Sequence, residues 1–407
     1  MSTKFINHEF LLRLRSVFRK KSSMEVISEA IMHIEALPEL EQILAQPDSL
    51  PEDCRRFFLP MPLEGEDLLV GRDDSFKLLD EALRHWQNGH PTSVAVVGPQ
   101  GCGKTSLINC FQKRQQGQVI LRGDLERRLR SDKSVVEFFC QFFQIDPPID
   151  DVEELIRRLM EVEPRIVILE GAHNILLRVI GARKAAETFL YVILRTRRRH
   201  FWLLACRRLP WNNMERHIGA SRYFSHVLPI DLLPEDVLRD ALKLRLENCG
   251  LQTTFCSPDE SERGRQLAEG QEEKERAFYR GILANSGSNF SSALYFLLLC
   301  SRYERNTKSL FLSPPNRLDI AFLKDMDRLH LMTLAELAGH GVLSVGEHLE
   351  IFRVTEARSK MTLEYLEQLK LIELIVDRNN SNEKTYDLLP FIHHSVTSAL
   401  EQLNLLY

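Results

Sequence analysis

The sequence predicts an α/β fold built on a parallel sheet with helices on both faces, followed by a helical lid and a small C-terminal domain of helices and a hairpin. Three observations predict it. Short apolar runs at residues 94–97, 119–121, 166–169, 201–205 and 227–233 alternate with amphipathic stretches, the pattern of buried strands joined by crossover helices. The first run leads directly into Gly98-Pro99-Gln100-Gly101-Cys102-Gly103-Lys104-Thr105-Ser106 and then a helical stretch to residue 115. The run at 166–169 ends in a carboxylate, Glu170.

The segment 98–105 fits Gly-x-x-x-x-Gly-Lys-[Ser/Thr], a phosphate-binding loop between a strand and a helix. Glycines allow the backbone to curl so that successive N–H groups point inward at phosphate oxygens, and the following helix aims the positive end of its dipole at them. Lys104 then reaches the β- and γ-phosphates and the Thr105 hydroxyl ligates Mg²⁺. A carboxylate at the end of a later strand holds that ion through water, the role expected of Glu170. The expected cofactors are ATP and Mg²⁺.

Composition bounds the rest. A chain of 407 residues exceeds one ordinary core, so two or three domains are expected. Hydrophobic residues at 44% and charged residues at 27% describe a soluble globular protein. No apolar run approaches the ~18 residues that span a bilayer, and the charged N-terminus lacks the apolar core of a signal peptide. A cytoplasmic protein is expected. The eight cysteines, at 54, 102, 110, 140, 206, 249, 256 and 300, form no Cys-x-x-Cys pair and suit reduced packing thiols. A net charge of −4 gives no overall pull towards nucleic acid.

Taken in order, residues 1–65 read as an N-terminal helical extension. Within it Arg13, Arg15, Arg19, Lys20 and Lys21 interleave with Leu11, Leu12, Leu14, Val17 and Phe18. Such a helix (residues 11–21) could lie on an anionic membrane surface, fit a protein partner's groove, or pack on its own chain with a solvated basic edge. Residues 66–233 form the expected nucleotide-binding core. Residues 234–312 read as a helical lid, opening on a helix that starts after Pro234 and stops at Gly250, with a charged, exposed insertion at 257–275. Ser313-Pro314-Pro315 marks a boundary. In residues 316–407 three helical patterns precede apolar runs at 374–377 and 385–389, a polar turn between them, and a last helix from His394. Three helices and a hairpin describe a winged helix-turn-helix.

These motifs together resemble the AAA+ and STAND P-loop ATPases, particularly the origin-recognition and initiator-like group with a C-terminal winged helix. Gly71-Arg72-Asp73 is similar to their Gly-Arg-Glu motif near the adenine, which implies nucleotide contacts at Gly71 and Arg72. Leu169-Glu170-Gly171-Ala172-His173-Asn174 resembles their apolar-Asp-Glu-Ala-His-Asn strand end. Ser221-Arg222-Tyr223 looks like their Ser-Arg-Phe box, whose arginine completes a neighbouring subunit's site, so the resemblance implies a homo-oligomer across Arg222. The likeness covers roughly residues 66–300 and implies a P-loop NTPase core of the ASCE, AAA+-like type.

Departures from the pattern shape the functional expectation. Glu170 stands where the family has Asp, and Gly171 where it has the water-activating Glu. Ser291, within Ser286-Gly287-Ser288-Asn289-Phe290-Ser291, occupies the place of the lid arginine, and the sensor position after the strand at 201–205 falls on Cys206 or Arg207. General-base catalysis supplies ~10² to 10⁴ in rate, about 3 to 5 kcal/mol, whereas the loop supplies binding. The expected protein binds ATP, turns it over slowly and acts as a nucleotide-controlled switch. A DNA-binding regulator is the second reading, but the helix expected to enter a groove, residues 355–370, sets Arg358, Lys360 and Lys370 against Glu356, Glu364 and Glu367. DNA binders concentrate cations there, so a protein partner is favoured. An active remodelling ATPase is the third reading.

Overall fold

The computed structural model describes residues 31–33, 37–46, 50–149, 151–179, 181–257, 270–375 and 384–406. The basic segment 11–21, most of the charged stretch 257–275 and the turn before residue 384 lie outside them. Among the described residues no helix is long and apolar enough to cross a membrane.

The described residues begin with β1 (Ile31–His33), α1 (Leu40–Leu44) and α2 (Glu52–Phe58). It then alternates: α3 (Asp73–Gln87), β2 (Ser93–Gly98), α4 (Lys104–Arg114), β3 (Ile120–Asp124), α5 (Asp132–Phe143) and α6 (Val152–Glu161). β4 (Ile166–Glu170), α7 (Ala182–Thr196), β5 (Phe201–Arg207), α8 (Arg208–Ile218) and β6 (His226–Pro229) complete the core. Five parallel strands lie in the order β3-β4-β5-β2-β6, as the apolar runs predicted. β2 is buried along its whole length, which a strand covered on both faces requires. Alternate side chains feed opposite layers: Ala95, Val97 and Trp202 pack with Phe139 and Phe189, while Val94, Val96 and Leu203 pack with Leu79 and Phe111.

After the core come α9 (Glu235–Cys249), β7 (Gln252–Phe255), α10 (Gln271–Ser286), α11 (Phe290–Leu299), β8 (Ser301–Glu304), β9 (Ser309–Leu312) and β10 (Arg317–Asp319). α9 ends as predicted at Gly250, whose φ of 68° suits a residue without Cβ. Two expectations are corrected here. Residues 234–312 are not wholly helical, because β7, β9 and β8 form a three-stranded sheet. Residues 31–33 are extended, because β1 pairs in parallel with β10. Strands of three or four residues are too short to show a period, and their partners are remote in sequence.

The C-terminal residues form α12 (Arg328–His340), β11 (Val342–Ser344), α13 (Val345–Phe352), α14 (Glu356–Gln368), β12 (Ile372–Ile375), β13 (Thr385–Leu388) and α15 (His393–Gln402). β11 joins the expected hairpin, giving an antiparallel sheet in the order β11-β13-β12. This segment shares one apolar cluster with α10 and α11: Leu294 and Phe296 belong to it with Leu334, Leu363 and Leu400. The Tyr295 and Phe391 rings stack at 3.9 Å. Cys54 and Cys249, separated by 195 positions, are joined as a disulfide, which corrects the expectation of eight reduced thiols. The pairing of α2 with the end of α9 is a long-range contact that spacing does not reveal.

Two fully buried histidines make stability depend on acid. His200 bonds the Leu159 carbonyl at 2.9 Å, and His348 lies between Thr333 and Ser359 hydroxyls. Burial pushes both down to about 4. As pH falls below the ordinary histidine value of about 6.5, the unfolded chain takes up protons that the folded chain refuses. Stability is therefore full above that value and is lost progressively between it and about 4. At pH 5 the loss is about 2 kcal/mol per histidine. Urea unfolding at pH 7 and pH 5 checks this, and the difference should shrink by about 2 kcal/mol in His348→Gln.

Candidate functional site

The loop between β2 and α4 is shaped by what surrounds it. A Cβ on Gly98 would meet the Ile230 carbonyl oxygen at 2.4 Å and Cys102 Sγ at 2.7 Å, so only glycine fits there. Gly101 and Gly103 take φ of 75° and 93°, the left-handed region that lets the chain turn into α4. Lys104 Nζ donates to the Gly98 carbonyl at 2.9 Å and the Pro99 carbonyl at 2.7 Å. Burial lowers its pKa. Arg72 donates to the Cys102 carbonyl at 2.8 Å and the Asp231 carbonyl at 3.0 Å, fixing the Gly71-Arg72 turn against the loop. Ser106 Oγ accepts from the Leu63 amide at 3.0 Å and Asn109 Nδ2 donates to the Leu63 carbonyl at 2.9 Å, so residues 60–72 strap over α4.

On the metal side, Thr105 Oγ1 donates to Glu170 Oε2 at 2.7 Å. The pair sequence reasoning assigned to Mg²⁺ therefore converges at the start of α4. Hydroxyl and carboxylate oxygens side by side suit that hard cation, and the residues fit it. The other carboxylate oxygen, Oε1, ion-pairs with Arg122, whose Nη1 also donates to Gln112 at 2.9 Å. Asp124 lies opposite Glu170 in the β3/β4 register. Burial and the Glu170 charge raise its pKa. Sequence reasoning missed Arg122 and Asp124, because nothing in β3 advertises its alignment with β4.

Gly171 carries more than a missing carboxylate. Its φ is 70°, and a Cβ there would sit 2.9 Å from the Leu125 carbonyl oxygen and 3.2 Å from the Leu125 nitrogen. Leu125 is held by its amide bond to the Glu170 carbonyl at 3.0 Å and by Asn174 Nδ2 on its own carbonyl at 2.7 Å. A glutamate at 171 would therefore strain the backbone instead of simply restoring a base. Gly171→Ala should destabilise the protein by about 1 to 3 kcal/mol, read as a fall in melting temperature. A variant as stable as the wild type would contradict this geometry.

A third side of the loop is covered by α11 and the C-terminal segment. Asn289 Nδ2 donates to the Gln100 carbonyl at 2.6 Å, and the Ser291 amide and hydroxyl each lie 3.3 Å from the Gly101 carbonyl oxygen. Ser291 thus touches the loop itself. Of the two sensor candidates, Cys206 is buried and pushed up to about 12, whereas Arg207 turns outward from β5. Its guanidinium makes a two-pronged ion pair with Asp387 of β13, at 2.9 and 2.6 Å, and donates to the Gly341 carbonyl at 3.0 Å. The Gln100 side chain lies near Asp387 and favours its charged form. His393, at the start of α15, lies near enough to Arg207 and Lys104 to feel both charges, which with burial push it down to about 3. Arg128 adds a second tie, donating to the His173 and Val342 carbonyls at 3.1 and 2.6 Å and ion-pairing with Glu347 at 2.8 Å. His173 itself packs against Gly341 and is held neutral by burial and by Arg207, a structural contact between core and C-terminal segment.

Arg222 lies apart from these residues. It is exposed in a short 3-10 turn (Ala220–Tyr223) before β6, with its guanidinium folded over Gly219. β6 runs parallel to β2 from Val94↔His226 to Val97↔Pro229, so Arg222 sits at the end of the sheet opposite the loop that follows Gly98. It does not reach its own site.

Between the strap, the loop and the helices α9 and α11 lies a cavity of about 220 Å³. Loop residues 101–106 line it together with the apolar side chains of Leu68, Val70, Leu233, Ala241 and Leu294. Residues 68–194, which hold the loop, Glu170 and the strap's end, match the family model described as AAA ATPase domain. Over those residues the chain is similar to an AAA ATPase domain. No curated protein matches the sequence. Solved structures similar to it include the Aeropyrum pernix ORC1 protein in complex with DNA, at 17% identity over 83% of this chain and 93% of that one, TM-score 0.41. Pyrobaculum aerophilum CDC6P is similar at 14% identity over 87% and 99%, TM-score 0.43. So is the Aeropyrum pernix ORC2 protein at 14% over 86% and 98%, TM-score 0.40. Likeness at this level carries no argument about ligands or partners. The matched residues end before β5, so Arg207 and the C-terminal segment that engages it lie outside the match.

Proposed function

We propose that this protein is an ATP-binding switch of slow turnover, in which the nucleotide decides whether the C-terminal segment stays seated on the loop. The observation that carries the reading is the Arg207–Asp387 ion pair, which ties the end of β5 to β13 beside the loop. A γ-phosphate at Lys104 offers Arg207 a second anion, and a ligand moves an equilibrium only through such differential contacts. Thr105 and Glu170 would hold a Mg²⁺ ion, which would supply charge neutralisation at the bound phosphates. Slow turnover follows from Gly171, where the chain has neither a base nor room for one.

In this reading residues 66–233 are the nucleotide core, 234–312 a lid and 316–407 a winged-helix domain of a cytoplasmic protein. The exposed face of α14 supports a protein partner over DNA: Lys360 is matched by Glu356 at 2.6 Å, Lys370 is drawn to Glu39 at 3.2 Å, and Met361 is 71% exposed. Arg222, remote from its own loop, completes a second copy's site if the ATP-bound chains assemble. The test is calorimetric titration with ATP and ADP beside steady-state turnover and sedimentation in each nucleotide. Tight ATP binding with slow turnover supports the switch. Rapid turnover would favour an active remodelling enzyme instead.

A further inference from the structure

Arg245 on α9 is 2% exposed and lines the cavity, yet no carboxylate among the described residues ion-pairs with it. Its Nη1 makes only a long contact, 3.4 Å, to the Leu68 carbonyl, its Nε is buried with no hydrogen-bond partner, and its guanidinium lies 4.6 Å over the Phe290 ring. Burial alone lowers its pKa, to about 10, and it remains a cation. An unpaired buried cation is costly, and in cores such groups are normally paired or replaced by apolar residues. Its surroundings point to what offsets that cost. The phosphate-binding part of the cavity wall is the loop and Lys104, whereas Arg245 contacts Leu68 and Phe290 and shares the wall with Ala241 and Leu294. Apolar walls with one placed polar group suit a flat heteroaromatic ring whose faces pack and whose edge accepts a hydrogen bond. Arginine offers donors and no acceptor, so it reads a ring nitrogen and not an amino group.

We propose that Arg245 is the base-reading residue of this site, donating to a ring-nitrogen acceptor of a purine held between the strap and α11. The proposal rests on the nucleotide-binding reading above and names its specificity determinant. It goes beyond the loop residues 98–106, whose expected partners are phosphates.

The experiment compares the full-length wild type, Arg245→Met, Arg245→Lys and Lys104→Ala. The ligands are ATP, inorganic tripolyphosphate and the 1-, 3- and 7-deaza analogues of ATP, with the melting temperature of each apo protein. Arg245→Met should bind ATP 10- to 100-fold more weakly, the span expected for a charged hydrogen bond, with tripolyphosphate affinity unchanged. One deaza analogue should bind wild type as weakly as ATP binds the variant, and the variant should not distinguish the two. The apo variant should melt no lower than wild type, because an unpaired buried charge has been removed. Arg245→Lys keeps the charge but not the planar Nε–H, and should also lose the deaza distinction. Equal loss of ATP and tripolyphosphate, or a lower melting temperature with ATP affinity intact, would overturn the proposal by making Arg245 a phosphate ligand or a prop. A wild type that binds neither ligand would instead remove the nucleotide reading itself.

Discussion

Lys104→Ala is expected to abolish measurable ATP binding while the apo protein folds and melts within a few degrees of wild type. The lysine is buried against Gly98 and Pro99 carbonyl oxygens, where its charge is desolvated. Its contribution to the apo fold is therefore small: two backbone hydrogen bonds offset by the cost of burial. Its contribution to a triphosphate is large, because charge-assisted bonds to phosphate are about twice as strong as neutral ones. At least a hundredfold loss, about 2.7 kcal/mol, is expected in a calorimetric titration. Unchanged affinity would remove the loop from the function.

Asp387→Ala should have the largest effect on the balance between nucleotide states. Asp387 is 2% exposed, and its carboxylate bonds Arg207 through both oxygens and accepts from the Leu388 amide at 2.8 Å. Removing one partner of such a buried pair costs roughly 3 to 5 kcal/mol, and here the loss falls on the contact between core and C-terminal segment. Protease cleavage after residue 340 should accelerate. Arg207 becomes free for a γ-phosphate, so the ratio of ATP to ADP affinity should rise at least tenfold. A ratio that falls would mean that Asp387 assists ATP binding instead of competing with it.

The loop and the parallel sheet were legible because both depend on local sequence: glycines at required spacings, and apolar runs that a doubly covered strand must have. Gly250 ended α9 where a left-handed residue was needed, for the same reason. What escaped depends on partners distant in the chain. β1 finds β10, β7 finds β9, and Cys54 finds Cys249, each across long separations. The site divides the same way. Thr105 and Glu170 were expected to meet and do, at 2.7 Å. Arg122, Asp124, Arg245 and the Arg207–Asp387 pair carry no motif, and each becomes visible only when strands align or helices pack. Gly171 was legible as a missing base but not as a position whose backbone excludes one.

The central claim is that nucleotide controls the seating of the C-terminal segment, and amide hydrogen exchange of residues 384–406 measures it most directly. Exchange is compared in the apo protein, with ADP, and with a slowly hydrolysed ATP analogue, each with Mg²⁺, in wild type and Lys104→Ala. The account predicts that the ATP analogue speeds exchange in β13 and at the start of α15 relative to ADP, and that Lys104→Ala shows no difference. Exchange in those amides that is equal with both nucleotides, or slower with the ATP analogue while binding is saturated, would contradict it.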